Sequence, residues 1–336
     1  MIALGVVVAV FGFALPRLAS AADVWHAVGH VGWRGAGVLA VAATWNVVTY
    51  WLVWMVAVPN LGLRRAALIA HAPTAVANTV PAGSYVAVAL TYSMLRSWGY
   101  RRSSATLAMV ITGVWNNFAK LALPIVALAA LAIDGDIETP RVVAAALGVA
   151  GLAGAVAVLA AALRTDSAAS RVALVAAAIV TPPLRLLRRP VPQGWDVAMR
   201  RFRARAGDLL ATRWHLLTAA TAVGHLSLFL VLLASLRATG VPAAEVGWSE
   251  ILAVFAFARL ATAVPFSPGG LGVVELALTT GLTAAGGTRA PVVAAVLVYR
   301  ALTYLLQILL GAAAYLVWRR TAPRSAPLPA AEAGSA

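Results

Sequence analysis

The 336-residue chain is 62% hydrophobic and only 11% charged, with a mean hydropathy of +0.88; no water-soluble domain of this length needs so much apolar surface for one core. It carries no cysteine, which excludes disulfides, thiolate metal sites and a cysteine nucleophile, and its five histidines lack a metal-ligand spacing, so no cofactor is expected. The net charge of +15 comes mainly from arginines gathered between apolar runs, with no nucleic-acid-binding motif beside them; it reads as membrane topology and not as a nucleic-acid surface.

Apolar runs long enough to cross about 30 Å of hydrocarbon occur at 2–19, 36–58, 104–133, 141–163, 213–237 and 291–318. The first has no preceding basic residue, as a secretory leader would, and is read as a span, although "LASAAD" (18–23) offers a cleavage pattern that leaves removal of residues 1–21 open. Two further apolar regions, 66–95 and 249–286, are interrupted by "NTVPAG" (78–83) and "PFSPGG" (265–270). The expectation is an all-α polytopic membrane protein of about six full spans plus two broken or re-entrant helical hairpins. A single transmembrane domain would cover 1–320, with 321–336 a low-complexity, disordered tail.

Charge orients these elements. The segment 164–212 and Arg213 together hold ten arginines against Asp166, Asp196 and Asp208, and the tail opens with Arg319 and Arg320, so both should be cytoplasmic; "DGDIETP" (134–140) should face out. By this map the first interrupted region starts and ends in the cytoplasm. Its arms of 12 or 13 residues are too short to span, which makes it a re-entrant hairpin. The second starts and ends outside, either as a hairpin or as a pair of short spans. Opposite entry, with the loose likeness of "TVPAGSYVAVAL" to "AVPFSPGGLGVVELAL", suggests an inverted repeat of 36–163 and 213–318, the arrangement many transporters use for alternating access. Between them, "WDVAMRRFRARAGDLLATRW" (195–214) alternates arginine with apolar residues at helical spacing and is read as part of a basic cytoplasmic linker, 164–212, lying at the membrane surface.

Irregular backbone at membrane depth is tolerated only where protein or a watery cavity satisfies its amides. Ser267 as N-cap and Pro268 in the first turn would start a helix there, with Gly269, Gly270 and Gly272 offering backbone amides to an anion. The other use of such glycines is a steric seam against a neighbouring helix. Away from the ends of the apolar segments the charged side chains are Lys120, the only lysine, with Arg259, Glu275 and Arg300, and each is a functional candidate by default. Glu275 can neutralise Arg259 or Arg300, either as a structural lock or as a gate, leaving about two cations for an anionic group. In "GVWNNFAKLALP" (113–124), Asn116 and Lys120 share a helix face and suit phosphate; the alternative is a helix-to-helix amide bond and a lysine reaching an interface. His71 and His225 are read as hydrogen-bonding between helices. No Ser/His/Asp arrangement, carboxylate pair or P-loop is present, so no enzyme chemistry is expected.

The stretch "PFSPGGLGVVE" (265–275) resembles the Pro-x-x-Pro-Gly-Gly-x-Gly-x-x-Glu signature of the lysylphosphatidylglycerol synthase transmembrane region family, also called flippase-like domain proteins. "NTVPAG" followed by "YRRSSATLAMVITGVWNNFAKLALP" is similar to the family's first-half motif, though "AGSYV" lacks the acidic residue many members carry there. In the best-understood relatives this region precedes a soluble aminoacyl-transferase domain and moves the aminoacylated lipid between leaflets. Here the sequence stops some 18 residues after the last span, so the resemblance implies a stand-alone, translocase-like protein of a bacterial cell membrane.

The function expected is a flippase, energy-uncoupled or gradient-driven, for an anionic or phosphate-bearing lipid. Its partners would be membrane lipids and a separate lipid- or glycan-modifying enzyme. Two other classes fit the same residues, a secondary transporter of a small soluble anion and a non-transporting scaffold for such an enzyme.

Overall fold

The computed structural model describes residues 21–80, 83–134, 139–165, 167, 171, 174, 195–262 and 268–321, and every regular element among them is helical. The expected span 2–19, the break residues Pro81 and Ala82, most of the acidic loop, most of the linker up to 194, Ser267 and the tail after Thr321 lie outside the described residues.

After a short α1 (Ala21–Gly29), α2 (Trp33–Ala57) crosses, and α3 (Leu63–Thr79) and α4 (Gly83–Ser97) form the first hairpin. Helices α5 (Arg102–Ile133) and α6 (Thr139–Arg164) follow, then α7 (Trp195–Ala238). The second hairpin is α8 (Trp248–Ala261) and α9 (Val273–Ala284), and the last crossing runs through α10 (Arg289–Arg300), a π-helical turn (Ala301–Leu305) and α11 (Leu306–Thr321). Among the described residues four helical runs are long and apolar enough to cross a membrane: Trp33–Ala57, Arg102–Ile133, Leu209–Ala238 and Arg289–Thr321. They match four expected spans. The fifth, 141–163, is a helix whose apolar stretch is the shorter Ala146–Ala161.

The hairpin arms are 17 and 15 residues in the first and 14 and 12 in the second. At about 1.5 Å per residue the longest reaches only ~26 Å, short of the hydrocarbon thickness. Both second-half arms begin alike, because each N-cap is a glycine whose amide is taken by the glutamate three residues on. Gly247 donates to Glu250 Oε2 and Gly272 to Glu275 Oε2, each at 2.7 Å. The first hairpin turns on Gly83, whose amide donates to Val80 O at 2.8 Å and whose α-carbon lies so close to Val76 O and the Ala77 backbone that no side chain fits.

One boundary differs from the sequence expectation. Residues 195–214 are no separate surface helix, since α7 runs unbroken for 44 residues from Trp195 to Ala238, about 66 Å. The alternation of arginine with alanine and leucine that suggested an interfacial helix instead lets the basic turns continue the span, with Ala206 and Leu217 fully buried beneath it. Arg213 donates to Val56 O at 3.4 Å, capping the end of α2.

The buried residues form two clusters, each built around one hairpin. One joins Ile69, Met94, Leu95, Ile111 and Leu217; the other joins Leu232, Phe255, Leu278, Val292 and Tyr299. In lipid no hydrophobic drive pulls helices together, so close packing of small residues has to hold them. The contact of α11 on α3 is an instance, where Gly311 sits against the His71 carbonyl and the Ala75 side chain with no room for a β-carbon. Gly311→Ala should therefore lower the thermal midpoint in detergent, overpacking at about 1–3 kcal/mol outweighing the usual helix gain of Ala over Gly. Gly151→Ala, on an exposed face of α6 with nothing near, should leave the midpoint unchanged or raise it.

Candidate functional site

The second break is a run of left-handed backbone. Gly269, Gly270 and Gly272 have φ of 60°, 70° and 85°, a region that residues with a β-carbon rarely enter. Pro268–Gly270 form a single 3₁₀ turn, and α9 starts only at Val273, later than a helix capped by Ser267 would. The Gly272 amide is consequently not available to an anion, being bound to Glu275.

Glu275 is completely buried. Its second oxygen, Oε1, accepts from Arg300 Nε at 2.6 Å, and the Arg300 Nη2 donates to Gly269 O at 3.2 Å. Of the two arginines the sequence left open, Arg300 is the partner. The guanidinium also lies over the Tyr304 ring, 4.4 Å from its centroid. Tyr304 Oη in turn donates to Asn78 O at 2.6 Å, at the end of α3, while Gly269 packs directly against the Tyr304 ring and the Asn78 amide oxygen. The two chain breaks thus meet across one tyrosine.

Beside this junction is a cavity of about 370 Å³ lined by Lys120, Arg259, Arg300, Asn116, Gly269 and Gly270, among others. Arg300 is neutralised by Glu275. Arg259 has no carboxylate, and its buried Nε lacks any hydrogen-bond partner. Lys120 Nζ donates to Thr262 O at 3.4 Å and to no other described residue. Asn116 lies one turn before Lys120 on the cavity wall, as the shared face predicts, whereas Asn117 bonds back to Gly113 O at 3.1 Å. Among the described residues the cavity therefore has two unpaired cations and no free carboxylate.

A second cavity, also about 370 Å³, adjoins the first and shares Tyr50, Thr74, Asn116, Leu228 and Arg259 with it. Its other walls include Val53, Trp54, Val88 and Met109, so a polar and a more apolar chamber meet at Arg259. His225 belongs to this chamber and its Nδ1 has no partner, unlike the helix-to-helix bond expected of it. His71 does bridge helices, to Trp51 and Gln307. Sequence reasoning missed Asn78, Tyr304 and Gln307. The available signal was polar spacing inside an apolar span, since Arg300, Tyr304 and Gln307 recur at i, i+4 and i+7 in "RALTYLLQILLG".

The model of the lysylphosphatidylglycerol synthase TM region matches residues 1–311, nearly the whole chain. The chain belongs to that family. No curated protein matches it. Membership in the lysylphosphatidylglycerol synthase TM region family makes this a membrane protein with a lipid-related role, and the signature that suggested it, 265–275, ends on the buried Glu275.

A carboxylate offers an acceptor to each of two fixed donors, and an amide offers one acceptor and one donor. Glu275→Gln should hence oppose a donor to Arg300 or to Gly272 whichever way it turns, at a cost of about 3 kcal/mol. Thermal melting checks this. Adding Arg300→Met should restore most of the loss, and adding Arg259→Met should not.

Proposed function

We propose that this protein moves an anionic or phosphate-bearing lipid between the leaflets of a bacterial cell membrane without covalent chemistry. The headgroup passes through the cationic chamber while the acyl chains stay in the bilayer. The observation that carries this reading is Arg259, an unpaired cation standing where the polar chamber meets the apolar one. An amphiphile has the matching chemistry. A phosphate stripped of water needs charge-assisted donors in its place, which Lys120, Arg259 and the Asn116 amide supply. Gly269 and Gly270 shape the wall, Gly272 starts the helix behind it, and Arg300 with Glu275 holds the turn. Membrane lipids are then the partners, with a separate lipid- or glycan-modifying enzyme as their source or sink.

The two hairpins enter from opposite faces in this reading, as halves 36–163 and 213–318 of an inverted repeat, with both the basic segment 164–212 and the C-terminus cytoplasmic. Cysteine at Ser103 should accept a membrane-impermeant thiol reagent only from the cytoplasm, and at Gly135 only from outside. Labelling of Ser103→Cys from outside intact cells contradicts the repeat.

In vesicles containing a fluorescent phosphatidylglycerol analogue, an impermeant quencher reads leaflet exchange. Lys120→Gln or Arg259→Gln should slow it roughly tenfold or more, the worth of one hydrogen bond to a charged group. Exchange of a headgroup-free diacylglycerol analogue should stay unchanged. Equal rates for folded wild type and the Lys120→Gln/Arg259→Gln variant defeat the flippase reading. Uptake of a soluble anion with no lipid exchange favours a secondary transporter, and neither activity favours a scaffold.

A further inference from the structure

Gln307 is 2% exposed, lines the cationic chamber, and its amide nitrogen has no hydrogen-bond partner. Its amide oxygen is occupied, 2.7 Å from His71 Nδ1, and His71 Nε2 is 2.7 Å from Trp51 Nε1. The direction of this relay is forced. An indole N–H can only donate, so His71 Nε2 must accept, so Nδ1 carries the imidazole proton and must donate. The amide oxygen of Gln307 has to face it. Flipping the amide would set two donors against each other. What Gln307 has left is its NH₂ group, a donor that cannot exchange for an acceptor while Trp51 and His71 hold it.

The π-helical turn brings this group to the chamber. It lies between Arg300 and Leu306, so the helix that carries the paired cation continues through Tyr304 and Gln307 along the same wall. Such turns recur at functional sites. We infer that Gln307 is a specificity residue of the chamber, donating from its amide nitrogen to a phosphate oxygen, and that Trp51 is the positioning residue that fixes this polarity through His71. The inference rests on the proposed phosphate-binding role of the chamber. A lipid headgroup and free phosphate share the chemistry it recognises.

The test measures binding of dioctanoyl-phosphatidylglycerol and of inorganic phosphate to the detergent-solubilised full chain. Gln307→Met keeps the length and removes the donor, and should weaken binding roughly tenfold or more. Trp51→Phe leaves the chamber wall intact but frees His71 to change tautomer and the amide to turn its oxygen inward; it should weaken binding several-fold with an unchanged fold. A loss for the lipid alone assigns the headgroup as the ligand, and a loss for both assigns the phosphate group itself. Wild-type affinity in folded Gln307→Met overturns the inference. If Gln307→Met does not fold, wild-type affinity in Trp51→Phe overturns it. Arg259→Gln separates this from the reading beneath it: if Arg259→Gln also binds as wild type the chamber itself is wrong, and if it alone loses affinity only the role of Gln307 is.

Discussion

Glu275 accepts from the Arg300 guanidinium through one oxygen and from the Gly272 amide through the other, and the second half of the molecule is arranged around that double bond. A break in a helix at membrane depth leaves amides without partners, and a lone cation or carboxylate there is worse still. One side chain resolves all three. It caps α9, cancels the charge of Arg300, and through Arg300 takes up the Gly269 carbonyl as well. The three left-handed glycines follow from this, because the chain has to turn tightly enough to bring Gly269 and Gly272 onto the two partners of one ion pair.

Because the pair is closed, the remaining charge is lopsided. Lys120 and Arg259 face the chamber without a counter-ion among the described residues, and neither is solvated as a surface cation would be. Two like charges sharing a confined space repel by more than they would in water, since the effective dielectric there is lower. An anion relieves both the repulsion and the unmet donors, whereas a neutral acceptor relieves only the donors and a cation relieves neither. In the proposed reading the selectivity of the chamber is set by Glu275, which removes one arginine from competition and commits its own charge at the same time.

Much of this architecture can be read in one dimension. Apolar run lengths place α2, α5, the apolar part of α7 and the final crossing, and the prolines and glycines at 78–83 and 265–270 place both breaks. Rare charges in apolar sequence single out Lys120, Arg259, Glu275 and Arg300. What could not be read is which of them touch. Arg259 lies 16 residues before Glu275 and Arg300 25 after, and only the azimuth of each helix decides between them. The same holds for Tyr304 with Asn78, 226 residues apart, and for Gln307 with His71, 236 apart. The π-helical turn adds to the difficulty, because it shifts every later residue around the helix axis with no proline or glycine to announce it. The continuity of α7 was hidden for a different reason. Charge marks where a helix leaves hydrocarbon, and it does not mark where a helix ends.

The meeting of the two breaks at Tyr304 bears on how such a site can open. Among the described residues the first hairpin meets the second break where Gly269 is seated against the Asn78 amide oxygen and the Tyr304 ring, and it meets the last crossing through the bond from Tyr304 Oη to Asn78 O. Behind that ring the hold is much stronger, with Gly311 locked into α3 and the ion pair buried. Among the described residues, separating Asn78 from Gly269 and Tyr304 forfeits one neutral hydrogen bond and some ring packing, of order 1–2 kcal/mol, whereas separating either hairpin from its own cluster forfeits far more. A gap of a few kcal/mol leaves an alternative arrangement thinly but measurably populated. In the proposed reading this joint, between the two helix breaks and beside the unpaired cations, is where a headgroup would have to pass.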